Sequence, residues 1–131
     1  KLETSIIESG GKKLLVNTYH LDTILCLLKK GDVTWQQIKG IEYLQYPLPD
    51  AKILNVKYVE SIASEVIHRI QENKRVLVHC IAGRNRSGLI VALVYYFLTG
   101  CTGVEALNYV RKIRPNALYN KTFVKYLELL D

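Results

Sequence analysis

The chain has no methionine, and only three prolines and three cysteines in 131 residues. The cysteines, Cys26, Cys80 and Cys101, are scattered: they form no CxxC pair and lack the spacing of a zinc site. That argues against a disulfide scaffold or a dithiol redox protein, and for a reducing, cytoplasmic compartment. Cys26 and Cys101 read as small buried hydrophobes. Long apolar runs are also missing. The longest, residues 89–98, is too short to span a bilayer. No repeat, low-complexity tract or linker interrupts the chain. No Arg/Lys tract interleaves with aromatics, so nucleic acid is not an expected partner. With Lys1 first and no methionine, the start is expected upstream, where a targeting segment would sit.

What is present is enough for one compact domain over residues 1–131, since 49% of the chain is hydrophobic. The net charge of +6 is uneven. Residues 1–70 hold nine Lys/Arg against eight Asp/Glu, whereas residues 71–131 hold nine against four. The basic half would attract anionic ligands, although a solvated surface gives the same count.

Residues 13–16 (KLLV) and 41–46 (IEYLQY) read as short strands, with a turn and a short helical piece between 31 and 39. Pro47 and Pro49 end the second strand and stiffen the loop carrying Asp50. Val56, Val59, Ile62, Ala63, Val66, Ile67 and Ile70 then recur at helical spacing behind Asn55, a ready N-cap. Residues 75–79 (RVLVH) form a continuous apolar strand of the kind buried in parallel sheets. Residues 89–98 are apolar on every side and predict a buried helix. Amphipathic helices follow over 102–113 and 119–130, separated by the Arg114-Pro115-Asn116 break. This order predicts an α/β fold, a central, mainly parallel sheet flanked by helices. Ligands then bind at the carboxyl ends of the strands, where Cys80 falls.

Between strand and helix lies His79-Cys80-Ile81-Ala82-Gly83-Arg84-Asn85-Arg86-Ser87-Gly88. A tight loop entering a helix points its amides inward and binds an anion. Gly83 permits an unusual backbone angle and Gly88 close packing. The planar fork of Arg86 can hold two phosphate oxygens at once. The same field stabilises a thiolate: helix N-termini with nearby cations lower a cysteine pKa to ~3.5–7.5. Cys80 is therefore the expected nucleophile on a phosphate monoester, giving a phosphocysteine. The amides of residues 81–86 and the Arg86 fork would stabilise the equatorial oxygens. Ser87 would donate a hydrogen bond to the departing thiolate. Asp50 is the candidate proton donor to the leaving group and, later, the base for water; the plainer alternative is a turn residue or helix cap. His79 is either a satisfied core histidine or an orienter of Cys80, and no metal ligand. His20 and His68 read as ordinary.

His-Cys, five residues, then Arg-Ser-Gly after an apolar strand resembles the signature of the protein tyrosine phosphatase superfamily. The small size resembles its dual-specificity branch. Leu48-Pro49-Asp50 with Asn55 resembles that branch's acid loop, 30 residues before the nucleophile. Arg114-Pro115, Asn120 and Phe123 resemble its C-terminal helix pattern. The resemblance covers roughly residues 41–130. It implies a phosphatase without metal or cofactor, acting on phosphorylated proteins. A shallow pocket would admit phosphoserine and phosphothreonine as well as phosphotyrosine. Two features keep other substrates open. Arg84 puts a second cation in the loop, as in phosphoinositide phosphatases of the superfamily. Asn85-Arg86 resembles the RNA 5′-triphosphatase relatives, which generally lack the aspartate that Asp50 supplies here. A reading from another class, a non-catalytic phosphate-binding module, is disfavoured because cysteine, arginine and acid are all present.

Overall fold

The computed structural model describes residues 2–4, 20–29, 39–53, 55–80 and 85–130. The expected strand at 13–16 lies outside them, as does all but Lys39 of the turn and helical piece expected over 31–39.

The apolar run VLVH becomes β4 (Val76–His79), buried at all four positions. A strand that is apolar on both faces needs a neighbour on each edge and a layer on each side. It has β1 (Leu2–Thr4) on one edge and β2 (Thr23–Cys26) on the other. The Glu42–Gln45 strand, β3, pairs outside β2, giving the order β1-β4-β2-β3. Every described pairing is parallel, with Cys26 beside His79 and Gln45 beside Cys26. The carboxyl ends of β2, β3 and β4 thus lie together, and the chain leaves β4 directly into Cys80.

The first helix among the described residues, α1 (Val56–Gln71), starts where Asn55 accepts a hydrogen bond from the Tyr58 amide at 3.1 Å. It buries Val59, Ile62, Ala63 and Val66, four of the seven periodic positions. The second, α2 (Arg86–Thr99), buries every residue from Ser87 to Val94. Its last turn departs from the expected all-round burial: Phe97 and Leu98 are 44% and 41% exposed. The helix outlasts the layer it packs against, and Gly100, at φ 71°, ends it in the left-handed conformation that glycine adopts freely.

Helix α3 (Gly103–Ile113) opens with a reciprocal capping box between Thr102 and Glu105. Helix α4 (Lys121–Glu128) is shorter than the expected 119–130, because Asn120 caps it from the Thr122 and Phe123 amides. Phe123 and Leu127 anchor α4 in the core around α2. No helix among the described residues is long and apolar enough to cross a membrane.

Candidate active site

Three segments meet at the carboxyl edge of the sheet. The first is Cys80 and the start of α2. Cys80 Sγ lies 3.6 Å from Ser87 Oγ, with both residues buried. Hydrogen bonds to sulfur extend this far, so the hydroxyl is in place to donate to a thiolate. Arg86 is the first residue of α2, and its Nη1 donates to Leu48 O at 3.3 Å. Its Nε is buried and finds no partner among the described residues. Asn85, at the N-cap position of α2, makes no side-chain cap. A helix leaves its first amides without internal partners, and an anion suits them. Gly88 is fitted to this turn: a Cβ there would come within 3.2 Å of Leu118 Cγ.

The second segment is the loop after β3. The Tyr46 amide donates to Cys26 O and the Leu48 amide to Leu27 O, each at 2.9 Å, extending the β2–β3 ladder past the strands. Tyr58 on α1 donates its hydroxyl to Pro47 O at 2.8 Å. Proline cannot donate, but its carbonyl still accepts, so Pro47 ties the loop to α1 between the two ladder bonds. The loop is thereby tied to sheet, α1 and α2 before it reaches Asp50.

The third segment, residues 114–120, brings Asn120. Asp50 Oδ1 accepts from Asn120 Nδ2 at 2.7 Å, and Asp50 Oδ2 accepts from Asn85 Nδ2 at 3.1 Å. Asn120 Nδ2 also donates to Ala51 O at 3.2 Å. Asn85 Oδ1 in turn accepts from the Tyr119 and Asn120 amides, both at 2.9 Å. A carboxyl group, a buried cysteine with a neighbouring hydroxyl, and a guanidinium at a helix start have converged.

A family model for the dual specificity phosphatase catalytic domain matches residues 10–130. The chain belongs to that family. Dual specificity protein phosphatase 22 of Xenopus tropicalis is 32% identical over 116 residues, covering 86% of this chain and 54% of that protein. Protein tyrosine phosphatase domain-containing protein 1 of Mus musculus is 29% identical over 82 residues, 63% of this chain and 11% of that protein. The chain thus spans from about a tenth to about half of the length of these relatives. Among solved structures, Tk-PTP in its active form superposes with a TM-score of 0.82 at 26% identity, covering 98% of this chain and 91% of that one. The match reaches back to residue 10, further than the motif resemblance from residue 41.

Within this dual specificity phosphatase domain, the described residues gather Asp50, His79, Cys80, Asn85, Arg86 and Ser87 at one sheet edge. Ile81, Ala82, Gly83 and Arg84 lie outside the described residues. Asn85, expected in the phosphate cradle, turns its amide to Asp50 and to the backbone of residues 119 and 120. Motif reasoning gave no role to Asn120 at Asp50 or to the Leu48 carbonyl at Arg86. Asn120 left a trace only as part of the C-terminal helix pattern. Among the described residues, no three His, Cys, Asp or Glu side chains gather as a metal site.

Proposed function

We propose that this domain hydrolyses phosphomonoesters on proteins, at phosphotyrosine and at phosphoserine or phosphothreonine, through a phosphocysteine intermediate. The observation that best supports it is the 3.6 Å approach of Ser87 Oγ to Cys80 Sγ at the uncapped start of α2. In the first step a Cys80 Sγ lone pair forms the S–P bond as the ester P–O bond breaks. The leaving oxygen takes the electron pair of that bond and a proton from the Asp50 carboxyl. Arg86 and the loop amides hold the equatorial oxygens, where charge accumulates. In the second step Asp50, now a carboxylate, takes a proton from water. The water oxygen bonds phosphorus, the S–P bond breaks, and Ser87 donates a hydrogen bond to the returning thiolate. His79, buried beside this turn, supports Cys80.

The test is a comparison of kcat/KM, with chelator present, on phosphotyrosine, phosphothreonine and phosphoserine peptides, a phosphoinositide and a 5′-triphosphate RNA. Turnover of all three peptides above the other two substrates is expected. A phosphoinositide or RNA preferred by tenfold or more over every peptide would overturn the substrate assignment.

A further inference from the structure

Asp50 does not hang free over the cradle: two asparagines from distant parts of the chain hold one carboxyl oxygen each. Asn85 is 35 residues away and Asn120 is 70 residues away in sequence. We propose that Asn85 and Asn120 form an amide clamp that positions the Asp50 carboxyl for proton transfer. Both are positioning residues. This inference rests on the reading of Asp50 as the acid.

Three features carry it. The first is the fixed orientation of Asn85. It is 4% exposed, donates to Asp50 Oδ2, and accepts two successive backbone amides. A buried amide with its oxygen doubly engaged cannot rotate without orphaning donors. Its Nδ2 is therefore fixed toward Asp50. The second is the turn that supplies those amides. Leu118 adopts φ 58°, a left-handed conformation uncommon for a non-glycine residue. Arg111 Nη2 donates to its carbonyl at 2.8 Å, and its side chain is fully buried against Gly88. Strain of this kind persists only where the surroundings hold it. Here the next two amides both point at Asn85 Oδ1. The third is the double use of Asn120. Its Oδ1 caps α4 while its Nδ2 reaches Asp50 and Ala51 O. The acid loop is thus fastened to α4, and both are fastened to Asn85, the residue before Arg86.

The chemistry suits an acid that is held but not consumed by its contacts. A carboxyl oxygen has two lone-pair directions. One amide contact on each oxygen leaves a direction on each for the transferable proton. Positioning matters because a displacement of about 1 Å can cost ~10²-fold in rate.

The test uses kcat/KM, which reports the steps through phosphocysteine formation, on two substrates. One is p-nitrophenyl phosphate, whose leaving group needs little protonation. The other is an alkyl phosphate, which needs an acid. Asn120→Ser keeps a good helix cap but cannot reach Asp50. Asn85→Ala removes the other contact, with thermal unfolding monitored in parallel because it also orphans two amides. Each variant should lose about tenfold or more in kcat/KM on the alkyl phosphate, part of the ~10²–10⁴ that acid catalysis contributes. In kcat/KM on p-nitrophenyl phosphate Asn120→Ser should lose less than about threefold, with inhibition by inorganic phosphate unchanged, while Asn85→Ala is read by its alkyl loss relative to its p-nitrophenyl loss. In an Asp50→Asn background neither should cause a further alkyl-specific loss, because the two sites then act through one group. Wild-type alkyl turnover in both variants, beside a large Asp50→Asn loss, would overturn the clamp and leave the acid standing. Unchanged alkyl turnover in Asp50→Asn itself would remove the acid and, with it, the clamp.

Discussion

Replacing Ser87 by alanine should separate the two chemical steps. Ser87 is fully buried, and its Oγ lies 3.6 Å from Cys80 Sγ. Hydrogen bonds to charged groups contribute about 1.5–3 kcal/mol. The contact is long, so the lower end applies, and about 1.4 kcal/mol corresponds to a factor of ten. In the first step the sulfur enters as a nucleophile, and losing the donor makes it more basic and no worse an attacker. In the second step the sulfur must leave, and the lost donor raises that barrier directly. Ser87→Ala should therefore lower kcat about tenfold while formation of phosphocysteine keeps its rate. Rapid-quench kinetics with an aryl phosphate should show a burst close to one equivalent of phenol, followed by slow turnover. Stability should move little, since alanine removes one hydroxyl from a buried site without adding volume. A Ser87→Ala protein with unchanged kcat, or one slowed without a burst, would refute the leaving-group role.

Two further predictions concern stability. At Gly103 a Cβ would meet Leu127 O at 1.7 Å and Leu130 Cβ at 2.8 Å, so Gly103→Ala must push α3 and α4 apart. Because the obstacle is backbone, side-chain rotation gives no relief; a loss of about 3 kcal/mol or more is expected in urea unfolding, and a wild-type midpoint would contradict the packing. Glu42 is held at a pKa of about 2, first by its hydrogen bond from Arg69, against an ordinary value of 4.5. Its pair with Arg69 is 2.7 Å long, but the Glu42 side chain is 43% exposed, so solvent screening limits it to about 1 kcal/mol. With the folded value depressed, that contribution is present above pH 4.5 and is lost as pH falls toward 2. Glu42→Gln should remove it at neutral pH and flatten the stability curve across that window, and an unchanged acid slope would refute the assignment.

The elements that sequence patterns revealed are those whose partners are local or uniform. Helix α1 announces itself through seven apolar positions at one spacing and a polar cap. The strand at 76–79 does so because burial on both faces makes Val76, Leu77 and Val78 an unbroken apolar run up to His79. Strand β2 escaped notice although it is central. Its four residues, TILC, run on into Leu27 and Leu28, and so short an apolar run carries no period. Strand β1 is shorter still, three residues, and exists through its pairing with β4. At the site, Cys80, Arg86 and Ser87 were legible because loop and helix start set their relation within eight residues. The direction of the Asn85 amide was not. It is decided by Asp50 and by the turn at Leu118, which reach it only through the tertiary fold.

The central claim is that phosphate passes through Cys80. The most direct measurement is mass spectrometry of the acid-quenched protein during turnover of an aryl phosphate, with Ser87→Ala used to accumulate the intermediate. The account predicts one phosphate added to the peptide that contains Cys80, and no such adduct in Cys80→Ser, which should still bind inorganic phosphate but not turn over. Turnover by Cys80→Ser, or phosphate trapped on a different residue, would contradict it.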